Sequence, residues 1–255
     1  MSAQIISIIN QKGGVGKTTT AVNLASSLAA VEKKVLLIDL DPQGNATTGI
    51  GIYMTEYTIY DSILEVVPLE KSINSTFLPF LDIIGSNNQL AGAEIEMVPL
   101  FEREKKLKQV LSRVKEDYNY IIIDCPPSLG LLTLNALVAS THLIVPVQCE
   151  FYALEGLSRL LSTVKKVQEN FNSLLSIAGI LLTMYDKRCL LNQQVVADVT
   201  KILGKKVFPV IIPRSIKTAE ASSFGKPVIF YDRKSTVSLQ YLEFTKHLLK
   251  DFLWS

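Results

Sequence analysis

Histidine, cysteine and tryptophan are almost missing from this chain, and each scarcity removes a class of function. Only His142 and His247 occur, far apart, so neither a Ser/His/Asp hydrolase nor a histidine metal centre can be assembled from them. The three cysteines, Cys125, Cys149 and Cys189, are odd in number and widely spaced. They give neither a disulfide framework nor metal-ligand spacing, which points to a reducing compartment. Paired cluster cysteines are absent, which argues against an iron–sulfur carrier. No uncharged apolar run reaches the length of a membrane span, and the apolar start Met1–Ile9 has no basic region before it, so neither a transmembrane helix nor a signal peptide is expected. Repeats and low-complexity linkers are also lacking. What remains is 255 residues, 48% hydrophobic, enough for one large core, and a single domain over 1–255 is expected, with no preceding helix-turn-helix domain.

Short β-branched runs alternate with helix-like segments. Strands are expected at Gln4–Ile9, Val35–Leu40, Leu81–Ile84, Tyr120–Asp124, Leu143–Val147, Ile177–Thr183 and Val207–Ile211. Helices are expected at Thr18–Val31, Leu100–Lys115, Leu129–Ala139, Ala153–Glu169, Asn192–Leu203 and Thr236–Leu253. Several strands are nearly continuous apolar, as strands covered on both faces must be. This alternation defines an α/β fold, a doubly wound, mostly parallel sheet with helices on both faces. Ligands in such folds sit at the carboxyl ends of the strands.

The first strand runs into Gln11-Lys-Gly-Gly-Val-Gly-Lys-Thr-Thr-Thr20. Glycines at 13, 14 and 16 let successive N–H groups curl around a phosphate chain, and the following helix adds the positive end of its dipole. Lys17 is placed to neutralise the β- and γ-phosphates and Thr18 to put a hydroxyl on Mg²⁺; Val15 and Thr19 complete the loop. The third glycine of a dinucleotide fingerprint is replaced by Thr19. The loop departs from the ordinary Gly-x-x-x-x-Gly-Lys-Ser/Thr pattern: Gln11 stands at the first glycine and a second lysine, Lys12, appears. Two lysines exceed what one nucleotide needs from one subunit, so Lys12 is read as serving a nucleotide across a dimer interface, against a plain solvated lysine.

The second strand ends Asp39-Leu-Asp-Pro-Gln-Gly-Asn45, and the fourth Asp124-Cys-Pro-Pro-Ser-Leu-Gly130. Asp41, just past a buried strand, is placed to orient an attacking water, with Pro42 and Gly44 in an expected mobile loop. For Asp39 two readings stand, a catalytic carboxylate or a strand-end acceptor. Asp124 is the expected acid supporting Mg²⁺ from behind Thr18. Cys125 is read as a small buried side chain.

Charge is unevenly distributed. Net charge is +2, yet from Asp186 to Lys234 ten Lys/Arg face four acids, a local +6 that leaves −4 elsewhere. This suggests a polyanion partner, unless folding scatters the charges over several faces.

Taken in order, Lys12–Thr20, Asp39–Asn45, Gln89-Leu-Ala-Gly-Ala-Glu94, Ile123–Gly130, Pro146-Val-Gln-Cys-Glu150, Ala153-Leu-Glu-Gly156, Leu181-Leu-Thr-Met184, Ile212-Pro-Arg214 and Gly225-Lys-Pro227 resemble the ParA/Soj family of deviant Walker A ATPases, within the MinD-like branch of P-loop proteins. The resemblance implies an ATP- and Mg²⁺-dependent DNA-segregation ATPase, cytoplasmic and nucleoid-associated. ATP would drive a sandwich homodimer in which Lys12 reaches the partner's phosphates. The dimer would bind DNA without sequence preference until a ParB-type, centromere-bound partner stimulates hydrolysis. By the same resemblance Lys17, Thr18, Asp41 and Asp124 take the roles given above, Pro213 marks the adenine side, and Arg188 and Lys217 contact DNA. Lys217 stands where relatives carry arginine, which keeps charge but loses the planar fork. Ser222 replaces the proline of a Glu-Ala-Pro motif. The competing MinD-like membrane ATPase needs a basic amphipathic C-terminal helix. The segment Tyr241–Ser255 is amphipathic and ends near Trp254, but Glu243 and Asp251 offset Lys246 and Lys250. A biosynthetic synthetase of this fold would need an additional pocket for an organic acid or corrinoid, and the sequence shows no constellation for one.

Overall fold

A computed structural model of the chain describes residues 2–253, and the side chains of residues 2–250. Eight strands form one sheet: β1 (Gln4–Ile8), β2 (Val35–Asp39), β3 (Ile73–Ser75), β4 (Leu81–Ile84), β5 (Tyr120–Asp124), β6 (His142–Gln148), β7 (Ser176–Tyr185) and β8 (Val207–Pro213). Their order is β3-β4-β2-β5-β1-β6-β7-β8, parallel throughout except for the antiparallel pair β3–β4. The expected fold class therefore holds. The strand that sequence reading missed, β3, is three residues long and half-exposed, too short to show alternation.

The helices are α1 (Lys17–Ala30), α2 (Asn45–Gly49), α3 (Ile59–Ile63), α4 (Leu90–Glu96), α5 (Lys106–Leu111), α6 (Leu131–Ala139), α7 (Ala153–Asn170), α8 (Leu190–Leu203), α9 (Ile216–Ser223), α10 (Val228–Tyr231) and α11 (Thr236–Leu253). Successive strand residues point to opposite faces, so each central strand feeds two cores. Leu36, Ile38, Ile121 and Ile123 face the core shared with α3–α8, while Val35, Leu37 and Ile122 face the core shared with α1, α2 and α9–α11. Covering both faces is why these strands read as continuous apolar runs.

Two segments differ from expectation. The expected helix Leu100–Lys115 contracts to a 3-10 turn at Arg103–Lys105 followed by α5, because Glu102 sits in the left-handed region (φ 50°) and breaks the run. The segment after Asp41, expected as a mobile loop, folds into α2 once Gly44 (φ 64°) turns the chain. A side chain on Gly44 would meet the Ser86 carbonyl oxygen at 2.9 Å, so the turn is also a close backbone approach.

The tail helix α11 packs on β8 and α1, burying Tyr241, Phe244 and Leu248. The face of α11 that carries these three residues is thus occupied within the chain. Trp254, the residue that kept the membrane reading open, lies outside the described residues. Among the described residues no helix is long and apolar enough to cross a membrane.

Candidate nucleotide site and basic surface

Parallel register brings the sequence-selected carboxylates together. Asp124 is paired with Ile8 of β1 on one side and with Asp39 of β2 on the other, so the chain leaves three neighbouring strands at one level. The backbone knits this edge: Leu40 donates to the Asp124 carbonyl at 2.9 Å and Cys125 to the Ile8 carbonyl at 3.3 Å. The phosphate-loop candidate follows β1 directly, with Gly14 (φ 75°) and Gly16 (φ 90°) in the left-handed region that side chains disfavour. Gly16 is the N-cap of α1, and no side chain caps that helix, so its first N–H groups face the loop's concavity. Val15, buried inside the turn, offers its carbonyl to the Thr183 hydroxyl at 2.8 Å and so anchors the loop to β7. Gly13 faces open space.

Lys17 is buried and donates to the Lys12 carbonyl at 3.0 Å across the loop. Burial lowers its pKa, while Asp124, Cys125 and Asp41 oppose that shift, which places all three near its ammonium. Asp124 is fully buried, and neither carboxylate oxygen has a hydrogen bond of ordinary geometry, although Thr18 lies close enough to favour its charged form. Burial first, and the neighbouring Asp39 second, push its pKa well above the usual carboxylate range. A buried acid left unsatisfied beside a threonine hydroxyl and a lysine is what a divalent cation with its water shell would complete. The residues present therefore fit Mg²⁺, with Thr18 and Asp124 as the groups that would hold it. Cys125 is buried and its thiol pKa is raised beyond any reactive range by burial, in keeping with a packing role.

Asp41 is buried beside this group and its Oδ1 accepts the Gln43 N–H at 3.0 Å. Asp39 takes the acceptor reading. Its carboxylate receives the Asp41 N–H (3.1 Å), the Thr47 N–H (2.8 Å) and the Thr47 hydroxyl (2.7 Å). Burial pushes Asp39 up to about 6 despite these donors. The Thr47 hydroxyl in turn accepts the Ser86 N–H at 3.0 Å, tying α2 to the end of β4. Thr47 and Ser86 were not selected from sequence. Threonine eight residues after an aspartate carries no motif, and only the fold of α2 brings the pair together.

Lys12 lies at the outer rim, its side chain half-exposed, and is ion-paired with Glu150 on the loop after β6. Its N–H donates to Asn10 Oδ1 at 3.0 Å, and Asn10 Nδ2 donates to the Pro146 carbonyl at 2.7 Å, so the phosphate loop is tied to β6 as well. Glu94 was quoted only as part of a motif. It accepts the Leu132 N–H at 3.2 Å near the N-terminus of α6 and lies so close to Gly130 that a β-carbon there would displace its carboxylate.

The basic segment divides on folding. Lys201, Lys205 and Lys206 lie at the amino end of β8, while Lys187, Arg188, Arg214 and Lys217 lie beyond the carboxyl ends of β7 and β8. The sequence-level +6 is therefore split between opposite sheet edges, and only part of it adjoins the phosphate loop. Pro213 pairs with Tyr185 at that same edge. Together with Arg188, Arg214, Ser215 and the start of α11 they line a cavity of about 590 Å³. Arg188 makes two side-chain hydrogen bonds to Asp186 (3.0 and 2.8 Å), which hold that carboxyl down at about 2, and Lys217 pairs with Glu220 at 2.8 Å. The structure thus groups Gly13, Gly14, Val15, Gly16, Lys17, Thr18, Asp41 and Asp124 around one point. Thr19 follows in the first turn of α1, Lys12 sits on the rim, and Pro213, Arg188 and Lys217 stand on the adjoining surface.

A strand, a glycine turn with an invaginated lysine, and acids ending the neighbouring strands define a P-loop nucleoside triphosphatase, and an AAA-domain family model matches residues 3–177. The chain is 53% identical to the sporulation initiation inhibitor protein Soj of Bacillus subtilis, over 96% of this chain and 98% of that one. It is 49% identical to the chromosome partitioning protein ParA of Myxococcus xanthus, over 97% of this chain and 88% of that one. Among solved structures it resembles a cobyrinic acid a,c-diamide synthase from Mycobacterium smegmatis with bound ATP analogue and magnesium. The TM-score is 0.86 at 34% identity, covering 98% and 96% of the two chains. The chain belongs to the Soj/ParA family of chromosome-partitioning ATPases.

Proposed function

We propose that this chain is the DNA-partitioning ATPase of a segregation system: it binds ATP with Mg²⁺, closes into a sandwich homodimer, and in that state holds DNA without sequence preference at the nucleoid. A ParB-type, centromere-bound protein stimulates hydrolysis and ends the cycle. The observation that carries the reading is the arrangement at one sheet edge: Lys17, Thr18, Asp41 and Asp124 converge inward while Lys12 stands on the rim, half-exposed beside an open Gly13. The near-complete, 53% identity to Soj supports segregation over corrinoid chemistry, since the synthase-like neighbour stands at 34%.

The residues suggest the following division of labour. The loop N–H groups, the uncapped start of α1 and Lys17 cradle the phosphates. Magnesium, when bound, supplies neutralisation of charge on the β- and γ-phosphates. Thr18 would hold it, with Asp124 supporting it from behind. Asp41 orients the attacking water, and Asp39 fixes Asp41 through its backbone N–H. Lys12 exchanges Glu150 for the partner subunit's nucleotide, an exchange with little cost because exposed ion pairs contribute about 0–1 kcal/mol. Arg188 and Lys217 similarly exchange a carboxylate for DNA phosphate, and a dimer doubles a modest basic patch.

DNA binding compared across nucleotide-free, ADP, ATP and non-hydrolysable-analogue states, beside liposome co-sedimentation in the same states, tests the reading. ATP-dependent retention of DNA with no lipid binding is expected. Lipid binding without DNA affinity would move the protein to the membrane-cycling class, against which the buried face of α11 already argues.

A further inference from the structure

Two loops at the nucleotide edge carry the cations of the proposed cycle. The loop after β6 holds Lys12 through Glu150, and the loop after β7 carries Arg188. One side chain joins them. Asn192, in the first turn of α8, donates Nδ2 to the Cys149 carbonyl at 2.6 Å and accepts the Asp186 N–H on Oδ1 at 2.8 Å. Cys149 is the neighbour of Glu150. Asp186 receives the Arg188 N–H at 3.0 Å as well as its guanidinium. Lys12, Glu150, Cys149, Asn192, Asp186 and Arg188 thus form one uninterrupted set of covalent and hydrogen-bonded neighbours.

A second observation lies at the same junction. Met184 has φ 54°, a left-handed conformation that a side chain disfavours. Its predecessor Thr183 binds the phosphate loop through its hydroxyl and accepts the Cys149 N–H on its carbonyl at 3.1 Å. The left-handed residue therefore lies within β7, where the β7–β8 register shifts, between a residue gripped by the nucleotide loop and a residue gripped by Asn192. Strain of this kind persists only where neighbouring contacts over-determine it.

We propose that Asn192 is a positioning residue for DNA binding: it fixes the Arg188 loop to the loop that holds Lys12, so that the state of the phosphate loop sets the DNA-facing surface. The inference rests on the reading of Arg188 as a DNA contact. Asparagine suits the place because it offers a donor and an acceptor on one short side chain. Alanine removes both bonds. Aspartate keeps the acceptor but turns a carboxylate toward the Cys149 carbonyl. Glutamine keeps both groups on a longer arm.

The test uses the full chain with a non-hydrolysable ATP analogue or with ADP, and a fluorescent duplex of arbitrary sequence. Anisotropy reads DNA affinity and light scattering reads dimerisation. Asn192→Ala should lower DNA affinity in the triphosphate state about tenfold, as expected when two hydrogen bonds ordering a loop are lost. Nucleotide affinity and dimerisation should stay at the unmutated values. The dependence on salt should keep its slope, because no phosphate contact is deleted. Asn192→Gln should recover part of the loss. If Asn192→Ala folds poorly, Asn192→Asp is read in its place with the same expectations. Unmutated DNA affinity and triphosphate-to-diphosphate contrast in these variants would overturn the inference, as would parallel loss of dimerisation and DNA binding. If the unmutated protein shows no nucleotide-dependent DNA affinity, the DNA reading itself fails and the role of Asn192 falls with it.

Discussion

Asp39 accepts the backbone N–H of Asp41 at 3.1 Å, so the two acids of the Asp-x-Asp motif are held in a fixed relation in which the first orients the second. One carboxylate is fully enclosed and hydrogen-bonded three times, and the other is left to face the site. Asp41→Ala should therefore leave ATP binding and dimerisation intact while lowering partner-stimulated turnover by at least about a hundredfold, the usual weight of a positioned acid–base group. The protein should accumulate as a DNA-bound dimer. Wild-type, partner-stimulated phosphate release from this variant would remove Asp41 from its assigned role.

Asp124 gives a prediction about stability. An enclosed acid without ordinary hydrogen bonds costs roughly 1–3 kcal/mol. Asp124→Asn should thus raise the melting temperature of the nucleotide-free protein while abolishing Mg²⁺-dependent ATP turnover. The pH dependence follows from the raised values of Asp39, up to about 6, and of Asp124. Both bind protons more tightly folded than unfolded, so their contribution is fully present below the unfolded value near 3.8 and is lost as pH rises through the folded values. Nucleotide-free protein should gain stability from these two groups as pH falls from 7 towards 5. Asp124→Asn should flatten that slope, as a denaturant titration at several pH values would show.

Gly13 is open to solvent with no atom within 4 Å of a β-carbon built on it. Gly13→Val should be silent in the isolated subunit yet block closure against a partner, with nucleotide still bound. Lys12→Ala should also prevent the closed dimer, by removing the charge that reaches across. Light scattering with ATP should report monomers for both. ATP-dependent dimers of Lys12→Ala would confine Lys12 to its own subunit.

Arg188 and Lys217 are each held by a carboxylate of the same chain, yet both are exposed enough to trade it for phosphate. Arg188→Glu and Lys217→Glu should weaken DNA binding on every sequence tested. Each should also reduce the salt slope by about two, one contact from each subunit of the dimer. ATP hydrolysis without DNA should stay near wild type. An unchanged affinity and slope in both variants would place the DNA surface elsewhere.

Most of the sheet was legible because buried parallel strands such as Tyr120–Asp124 and Val35–Asp39 announce themselves as apolar runs ending in acids. The phosphate loop was equally plain, since few backbones other than a nucleotide cradle need three glycines and a lysine before a helix. Short elements were not legible. Segment α2 follows Gly44 and is held by the Asp39–Thr47 bond, a contact that only the folded chain creates. Asn192 was invisible for the same reason, because its two partners lie 43 and 6 residues away and neither forms a motif with it. Charge counting also overreached. The ten basic residues fall within one stretch of sequence, Asp186 to Lys234, but β8 separates Lys205 from Arg214 by its full length.

The Tyr241 hydroxyl meets the Thr20 hydroxyl at 3.4 Å across 221 residues of chain. Thr20 belongs to α1, the helix that opens at the phosphate loop, whereas Tyr241 belongs to α11. One apolar side of the nucleotide helix is therefore covered by a segment far away in sequence. Loosening α11 should open the core that the two helices share, around Leu24 and Leu28, to solvent. The phosphate loop thus borrows part of its scaffold from α11, and its shape depends on a contact that no motif around the loop contains.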